Sequence, residues 1–288
     1  MQKIYSSFSL HFLINQKKSG GNCNLASVQK RILLSGPRIQ LSIYNRKKRV
    51  DFIKKFRKCA NSVSGDIPRE LINPCAAYLA KAFTPIYNAC LLTKYWPDFW
   101  KIETIVPIPK TISPRGMDDI HPMTTLWSKM LESYISSLTI QETAQNWKPS
   151  HYGERKGSSL DHVVINIWDK ILTRLDSNKK AVVLAGIDFS NSFSRCAYQE
   201  ILNAYAKLGL SDWGIRMHAT FLTNRKMRVK IGNVLSDEQE VTGGTVQGSV
   251  LVVLDHNAVM EFVDEALDST DVFKYVDDLT VEVAFLSF

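Results

Sequence analysis

The chain has 288 residues, 45% hydrophobic, 22% charged and 10% aromatic, a balance that excludes a disordered or fibrous chain and suffices for at least one full core. No apolar run reaches the roughly 18 to 20 residues of a membrane span, which points to a soluble protein. The formal net charge is +8, yet residues 1–60 hold 14 Lys and Arg against the single Asp51, leaving 22 basic and 27 acidic residues in the remainder.

The basicity therefore belongs to an N-terminal arm, with RKKR at 46–49 and KKFRK at 54–58, which can neutralise phosphates without reading sequence. A solvated basic tail is the plain alternative. The acid-poor opening MQKIYSSFSLHFLINQKK also has features of an organellar presequence. Five cysteines, Cys23, Cys59, Cys75, Cys90 and Cys196, include no C-x-x-C pair. Neither disulfides nor a zinc site is indicated, and an intracellular setting, nucleus or cytoplasm, is expected.

Beyond the arm, elements follow one another without low-complexity linkers. Apolar spacing predicts a helix over 76–95, interrupted near Pro85 and ending at Trp96-Pro97. TIVPI at 104–108 reads as a short strand that Pro107 confines to a sheet edge. A helix is expected over 124–138. AVVLAGI at 181–187 is a continuous apolar run of strand length, expected to be buried on both faces and stopped by Asp188. Two helices over 197–208 and 211–222 are separated by Gly209, with Ser211 as N-cap. A hairpin starts at 227–231 and turns at Gly232-Asn233. A long helix is predicted over 249–267, then strands 271–275 and 279–285 joined by Val276-Asp277-Asp278. The composition of elements is α+β.

Chemistry concentrates where acidic residues meet apolar strands. A bare carboxylate at the end of a greasy strand cannot lie unpaired in a core, so Asp188 must face water, a cation or a donor. Asp277 and Asp278 are adjacent at a hairpin tip and repel each other unless a cation intervenes. Mg²⁺ suits them, because it takes one or two carboxylates and leaves other positions to water and phosphates. The expectation is that Asp188 and the 276–278 turn meet and hold two ions about 3.5 to 4 Å apart, an arrangement for in-line phosphoryl displacement. Read singly, Asp188 is also compatible with a turn carboxylate and the VDD stretch with a charged tip. Asp118-Asp119 shows that acidic pairs also occur elsewhere in the chain.

Seven ordered blocks then carry a resemblance: GDIPRELI at 65–72, WPDFWKIETIVPIPK at 96–110, LWSKMLE at 126–132, HYGERKGSSLDHVV from His151, GIDFSNSF at 186–193, GGTVQGSVL at 243–251 and FKYVDDLTV at 273–281. Together they resemble reverse transcriptases of the non-LTR retrotransposon type, from about Gly65 to Thr280. The resemblance implies reverse-transcriptase-like fingers and palm, with a fingers part over 61–123 and a palm over 124–288 that holds an interleaved fingers segment over about 198–246. It implies that Asp188 and Asp277 are direct ligands of two Mg²⁺ ions, with Mn²⁺ as substitute, and that Asp278 supports them. Phe193 would exclude a 2′-hydroxyl, and Gln247, Gly248 and Ser249 would lie along the new base pair. Lys110 would contact the triphosphate, and Tyr275 and Val276 the primer end. An RNA template, a DNA primer and dNTPs are the implied partners, with no membrane, zinc or disulfide.

Departures are specific. His121 stands where the family has a phosphate-binding Arg, His151 where Gln is usual and Ser194 where an acid follows Phe. Val246 and Val252 replace a Pro and a small residue around QGS. The chain ends ten residues after Asp278, so the family's thumb and its proposed general-acid Lys would lie beyond Phe288. No endonuclease or RNase H segment is seen. The hairpin is accordingly expected to expose Leu279, Val281, Val283 and Phe285, favouring aggregation. Three readings follow: an RNA-directed DNA polymerase, a catalytically inactive retroelement remnant binding nucleic acid through its arm, and another palm-type nucleotidyl transferase or cyclase. Phe193 and Gln247–Ser249 speak against the third.

Overall fold

The structure, a computed structural model, describes residues 69–72, 74–105, 126–153, 157–177, 181–189, 192–245, 248–266, 271–276 and 278–285. The basic arm, Lys110, His121, Gln247 and Asp277 lie outside the described residues.

Helices α1 (Arg69–Ile72) and α2 (Ala76–Thr93) open the described chain. Pro85 does not interrupt α2, contrary to expectation; it costs a single backbone bond, and the Thr84 hydroxyl donates to the Ala80 carbonyl one turn back, 2.5 Å away. Ala76 and Ala80, one turn apart, let α2 lie close on α3 (Leu126–Thr143), where Ile72 and Met130 complete a small core. The Phe83 ring stacks on Trp127 at 4.0 Å and 9°. α2 ends as Lys94 turns left-handed (φ 56°), and the chain buries Trp96 and Trp100 before β1 (Ile102–Ile105).

Two sheets follow. In the first, β1 pairs in parallel with β3 (Arg225–Ile231), which pairs antiparallel with β4 (Val234–Leu235) and β5 (Gln239–Val241). β1 has a single partner among the described strands, as Pro107 suggested. The Arg225 guanidinium is buried and donates from Nε to Glu103 Oε1 at 2.7 Å. Burial pushes the Glu103 carboxyl up, with Arg225 pulling the other way.

The second sheet has the order β2 (Ala181–Asp188), β7 (Asp278–Phe285), β6 (Asp271–Tyr275), all antiparallel. Two expectations are corrected here. β2 is not buried on both faces: Val183, Leu184 and Ile187 are exposed, since little of the described chain covers its faces, and β2 is an edge strand paired with β7 alone among the described strands. Conversely, Leu279 and Val281 are buried and Val283 is half-buried. They alternate onto one face of β7, where Val272, Phe189 and Val263 close over them; the Phe285 side chain is outside the description.

A helix the sequence reading did not anticipate, α4 (Leu160–Asp176), packs against β2 and β6. Ser159 caps it, accepting from the His162 N–H. Arg174 pairs with Asp271 and, at 2.8 Å, with Glu282, while Ile165, Trp168 and Leu172 stay exposed. After a short α5 (Ser192–Arg195), the pair α6 (Tyr198–Lys207) and α7 (Asp212–Leu222) forms as expected, with Gly209 at φ +76° and the Ser211 hydroxyl accepting from Gly214 N–H. The helix expected over 249–267 is shorter: α8 (Val252–Met260), then a 3₁₀ turn at Val263–Ala266. α8 runs through the interior, with five successive residues, Leu254 to Ala258, buried. None of the helices among the described residues is long and apolar enough to cross a membrane.

Candidate active site

β2 ends and β7 begins on an acid, and the register places Asp188 directly opposite Asp278. Side chains so opposed have their Cβ atoms roughly 4.5 to 5.5 Å apart, and like charges there repel. Both residues are exposed, and among the described residues neither carboxylate has a cationic partner. Tyr275 also pairs with Asp278, so the chain reverses between them through Val276 and Asp277. Val276 takes φ +56°, strained for a β-branched residue. The arrangement offers at least two hard oxygen donors to one small volume, which fits Mg²⁺ or Mn²⁺ better than a soft metal. No group of three metal-ligating side chains occurs among the described residues.

The other predicted residues among those described are each held by contacts of their own. Phe193, in α5, is half-buried and its ring stacks on that of His256 at 4.3 Å and 29°. Its carbonyl accepts from Thr245, from the backbone N–H at 2.7 Å and from the hydroxyl at 3.1 Å. Gly244 donates to the Cys196 carbonyl at 2.8 Å, and a Cβ on it would lie 2.8 Å from the Ser194 carbonyl oxygen. The GGT stretch is thus sewn onto the segment that follows Asp188. Burial pushes the Cys196 thiol up to about 11, helped by the Asp255 charge, so it is not a thiolate nucleophile near neutrality.

Gly248 is exposed at φ +79°, whereas Ser249 is buried and its hydroxyl donates to Glu132 at 2.8 Å. Glu132, fully buried on α3, also accepts from Val250 N–H at 2.7 Å and from the Ser128 hydroxyl at 2.5 Å. This carboxylate ties the 248–250 turn to α3, a role the sequence reading missed. The available signal was only local, an acid one turn after Ser128 on the same helix.

The 150–153 segment lies along β6: Lys274 N–H donates to Ser150 O at 2.9 Å and Tyr152 N–H to Lys274 O at 2.8 Å. His151, which replaces the usual Gln, is buried with Nδ1 3.0 Å from Glu261 Oε2. The departure is therefore satisfied internally. Tyr275 and Val276 are half-buried at the hairpin end.

Comparison with known proteins follows the same residues. The family model described as "Reverse transcriptase (RNA-dependent DNA polymerase)" matches residues 108–285. Curated relatives are Drosophila melanogaster proteins: the probable RNA-directed DNA polymerase from transposon BS, 25% identical over 174 residues; that from transposon X-element, 29% identical over 174; and the RNA-directed DNA polymerase from mobile element jockey, 26% identical over 171. Each match covers 58% of this chain, and the chain spans about a fifth of the first two relatives (19%) and 18% of the third. Among solved structures, apo telomerase from Candida tropicalis aligns with TM-score 0.48 at 13% identity over 92% of this chain and 58% of that one. Its form truncated from the C-terminal domain gives 0.46 at 12% over 69% and 49%. The family match covers more than half of the chain and runs through Asp188, the 243–251 turn and the 271–285 hairpin: the chain belongs to the reverse transcriptase (RNA-dependent DNA polymerase) family.

Proposed function

We propose that this chain carries the polymerase core of an RNA-directed DNA polymerase, extending a DNA primer on an RNA template by adding dNTPs and releasing pyrophosphate. The observation that carries the reading is the register pair Asp188–Asp278, two exposed carboxylates without a cationic partner among the described residues, with Asp277 next in sequence. Asp188 and Asp277 would hold two Mg²⁺ ions, with Mn²⁺ as substitute, and Asp278 would support the second position. Bound there, the divalent ions supply a more acidic primer 3′-hydroxyl and charge stabilisation for the departing pyrophosphate.

The protein's own groups supply alignment. The Phe193 ring, held by His256 behind it and by Thr245 on its carbonyl, would stand where a ribose 2′-hydroxyl arrives and so favour deoxynucleotides. Gln247 and Gly248 would border the new base pair. The Ser249 hydroxyl, engaged with Glu132, would act by fixing the turn rather than by touching the nucleotide. Lys110 would meet the triphosphate as a point charge, and Tyr275 and Val276 would press on the primer end. The arm at 1–60 would add sequence-independent phosphate contacts. Fingers at 61–123 and about 198–246 on a palm at 124–288, in an intracellular setting, belong to the same proposal.

Primer extension on an RNA template with dNTPs and Mg²⁺ or Mn²⁺, run beside Asp188→Asn and Asp277→Asn, tests it. Incorporation by the unsubstituted chain that both variants lose is the expected result. Folded protein with no incorporation overturns the reading in favour of an inactive remnant.

A further inference from the structure

One buried residue touches the aspartate turn without belonging to it. Gly153 ends the segment that runs beside β6. A Cβ placed on it would lie 2.7 Å from the Val276 backbone nitrogen, 3.1 Å from Val276 Cγ2 and 3.4 Å from Val276 Cα. The first of these is a contact that real side chains do not make, and it is against backbone, which cannot swing aside as a side-chain tip can. Gly153 is not in the left-handed region, so glycine is required here for the missing side chain and not for a special φ. Its carbonyl accepts a hydrogen bond from Asn257 Nδ2 at 3.3 Å, from inside α8. The partner in the turn, Val276, holds φ +56°, a conformation that is strained for a β-branched residue and persists only under restraint from its surroundings.

We infer that Gly153, clamped by Asn257, is a positioning residue that seats the turn at Val276 and so sets how Asp278 stands opposite Asp188. The inference rests on the proposed metal reading for its consequence but not for its geometry. Asp278 reaches its place opposite Asp188 through the hairpin that Val276 helps to reverse. Mg²⁺ demands near-ideal octahedral geometry with ligands at about 2.0 to 2.1 Å. A methyl group on Gly153 displaces the Val276 backbone, and the displacement is passed along the hairpin to Asp278. Gly153 touches no substrate; its effect is entirely on the turn.

The test uses the full chain and Mn²⁺ alone as probe, with affinity read by electron paramagnetic resonance, alongside thermal melting and hydrogen exchange of peptides spanning 271–280. Asp188→Asn establishes that the Mn²⁺ bound is the ion of the rim. Gly153→Ala is expected to weaken Mn²⁺ binding about tenfold or more, with faster exchange confined to the turn and a nearly unchanged melting temperature. Adding Val276→Gly removes the Cγ2 contact and frees the turn's φ, and part of the lost affinity returns. Wild-type affinity and turn protection in Gly153→Ala overturn the inference, as does a loss that Val276→Gly leaves untouched. If the unsubstituted chain binds no Mn²⁺, the metal reading fails on its own, and the exchange comparison still decides whether Gly153 seats the turn. Should Gly153→Ala not fold, Asn257→Ser withdraws the clamp without adding volume; weaker Mn²⁺ binding supports the inference and unchanged binding overturns it.

Discussion

The acids of this protein fall into two regions with opposite fates. In the interior, Glu132, Asp255 and Glu261 are fully buried, and each engages donors brought from distant elements. Glu132 takes Ser128, Ser249 and Val250; Asp255 takes the Tyr205 hydroxyl at 2.7 Å and lies 3.1 Å from His218 Nδ1; Glu261 takes Lys148 N–H and faces His151. At the rim, Asp188 and Asp278 are exposed and opposed, and among the described residues neither has a cationic partner. The buried acids draw their donors from within the chain, whereas the two exposed acids stand where, under the proposed function, a cation from outside would act.

That contrast is breakable. The largest effect is expected at the rim: Asp188→Asn lowers nucleotide incorporation about a thousandfold, the upper range for loss of one preorganised charge. Its melting temperature stays level or rises, because a like-charge pair has been relieved. A lower melting temperature would make the rim acids structural and erase the distinction. In the interior the sign reverses. Asp255→Ala leaves a buried tyrosine hydroxyl and histidine without their acceptor, and urea denaturation should show a loss of about 3 kcal/mol.

Glu132 lies between the two classes, being buried yet tied to the turn that would border the nucleotide. Glu132→Ala strands the Val250 N–H and two hydroxyls, at about 2 kcal/mol in denaturant titrations. Glu132→Gln should cost less than about 1 kcal/mol. Its carbonyl oxygen can take the Oε2 position and serve Ser249 and Val250, while its amide faces the Ser128 hydroxyl, which can rotate to accept. Equal losses for the two variants would show that charge, not acceptor geometry, holds the turn.

How much of this was legible depended on distance along the chain. The 276–278 and 232–233 turns showed because both flanking strands lie within a few residues, and Ser211 showed because a cap is local. Asp188 was legible from the abrupt end of an apolar run. The burial of that run was misread: AVVLAGI signals a strand but does not say which neighbours cover it, and β2 is an edge. The sequence of α8 also does not show that Asp255, His256 and Asn257 face the interior rather than solvent. Their partners, Tyr205, His218, Phe193 and Gly153, arrive from 37 to 104 residues away. The same separation hid Glu132 from the turn it holds.

The smallest effect belongs to an acid that is neither buried nor at the rim. Asp271, at the start of β6, is partly exposed. Partial burial pushes its carboxyl up, but hydrogen bonds and charge from Arg174 and Lys170 outweigh that and hold it below its usual value. A depressed carboxyl adds stability that is complete above its unfolded-state pKa, near 4, and is lost as pH falls through the lower folded-state value. Glu282, on the other side of Arg174, runs the opposite way, since burial pushes its carboxyl up. The wild-type curve alone therefore mixes both groups, and the difference between wild type and Asp271→Asn isolates one. That difference should be under about 1 kcal/mol at neutral pH, as for other partly exposed ion pairs. It should shrink towards zero as pH drops below about 4. A difference that stays constant across that range would mean that α4 is held on β6 by packing alone, with the Arg174–Asp271 pair contributing nothing.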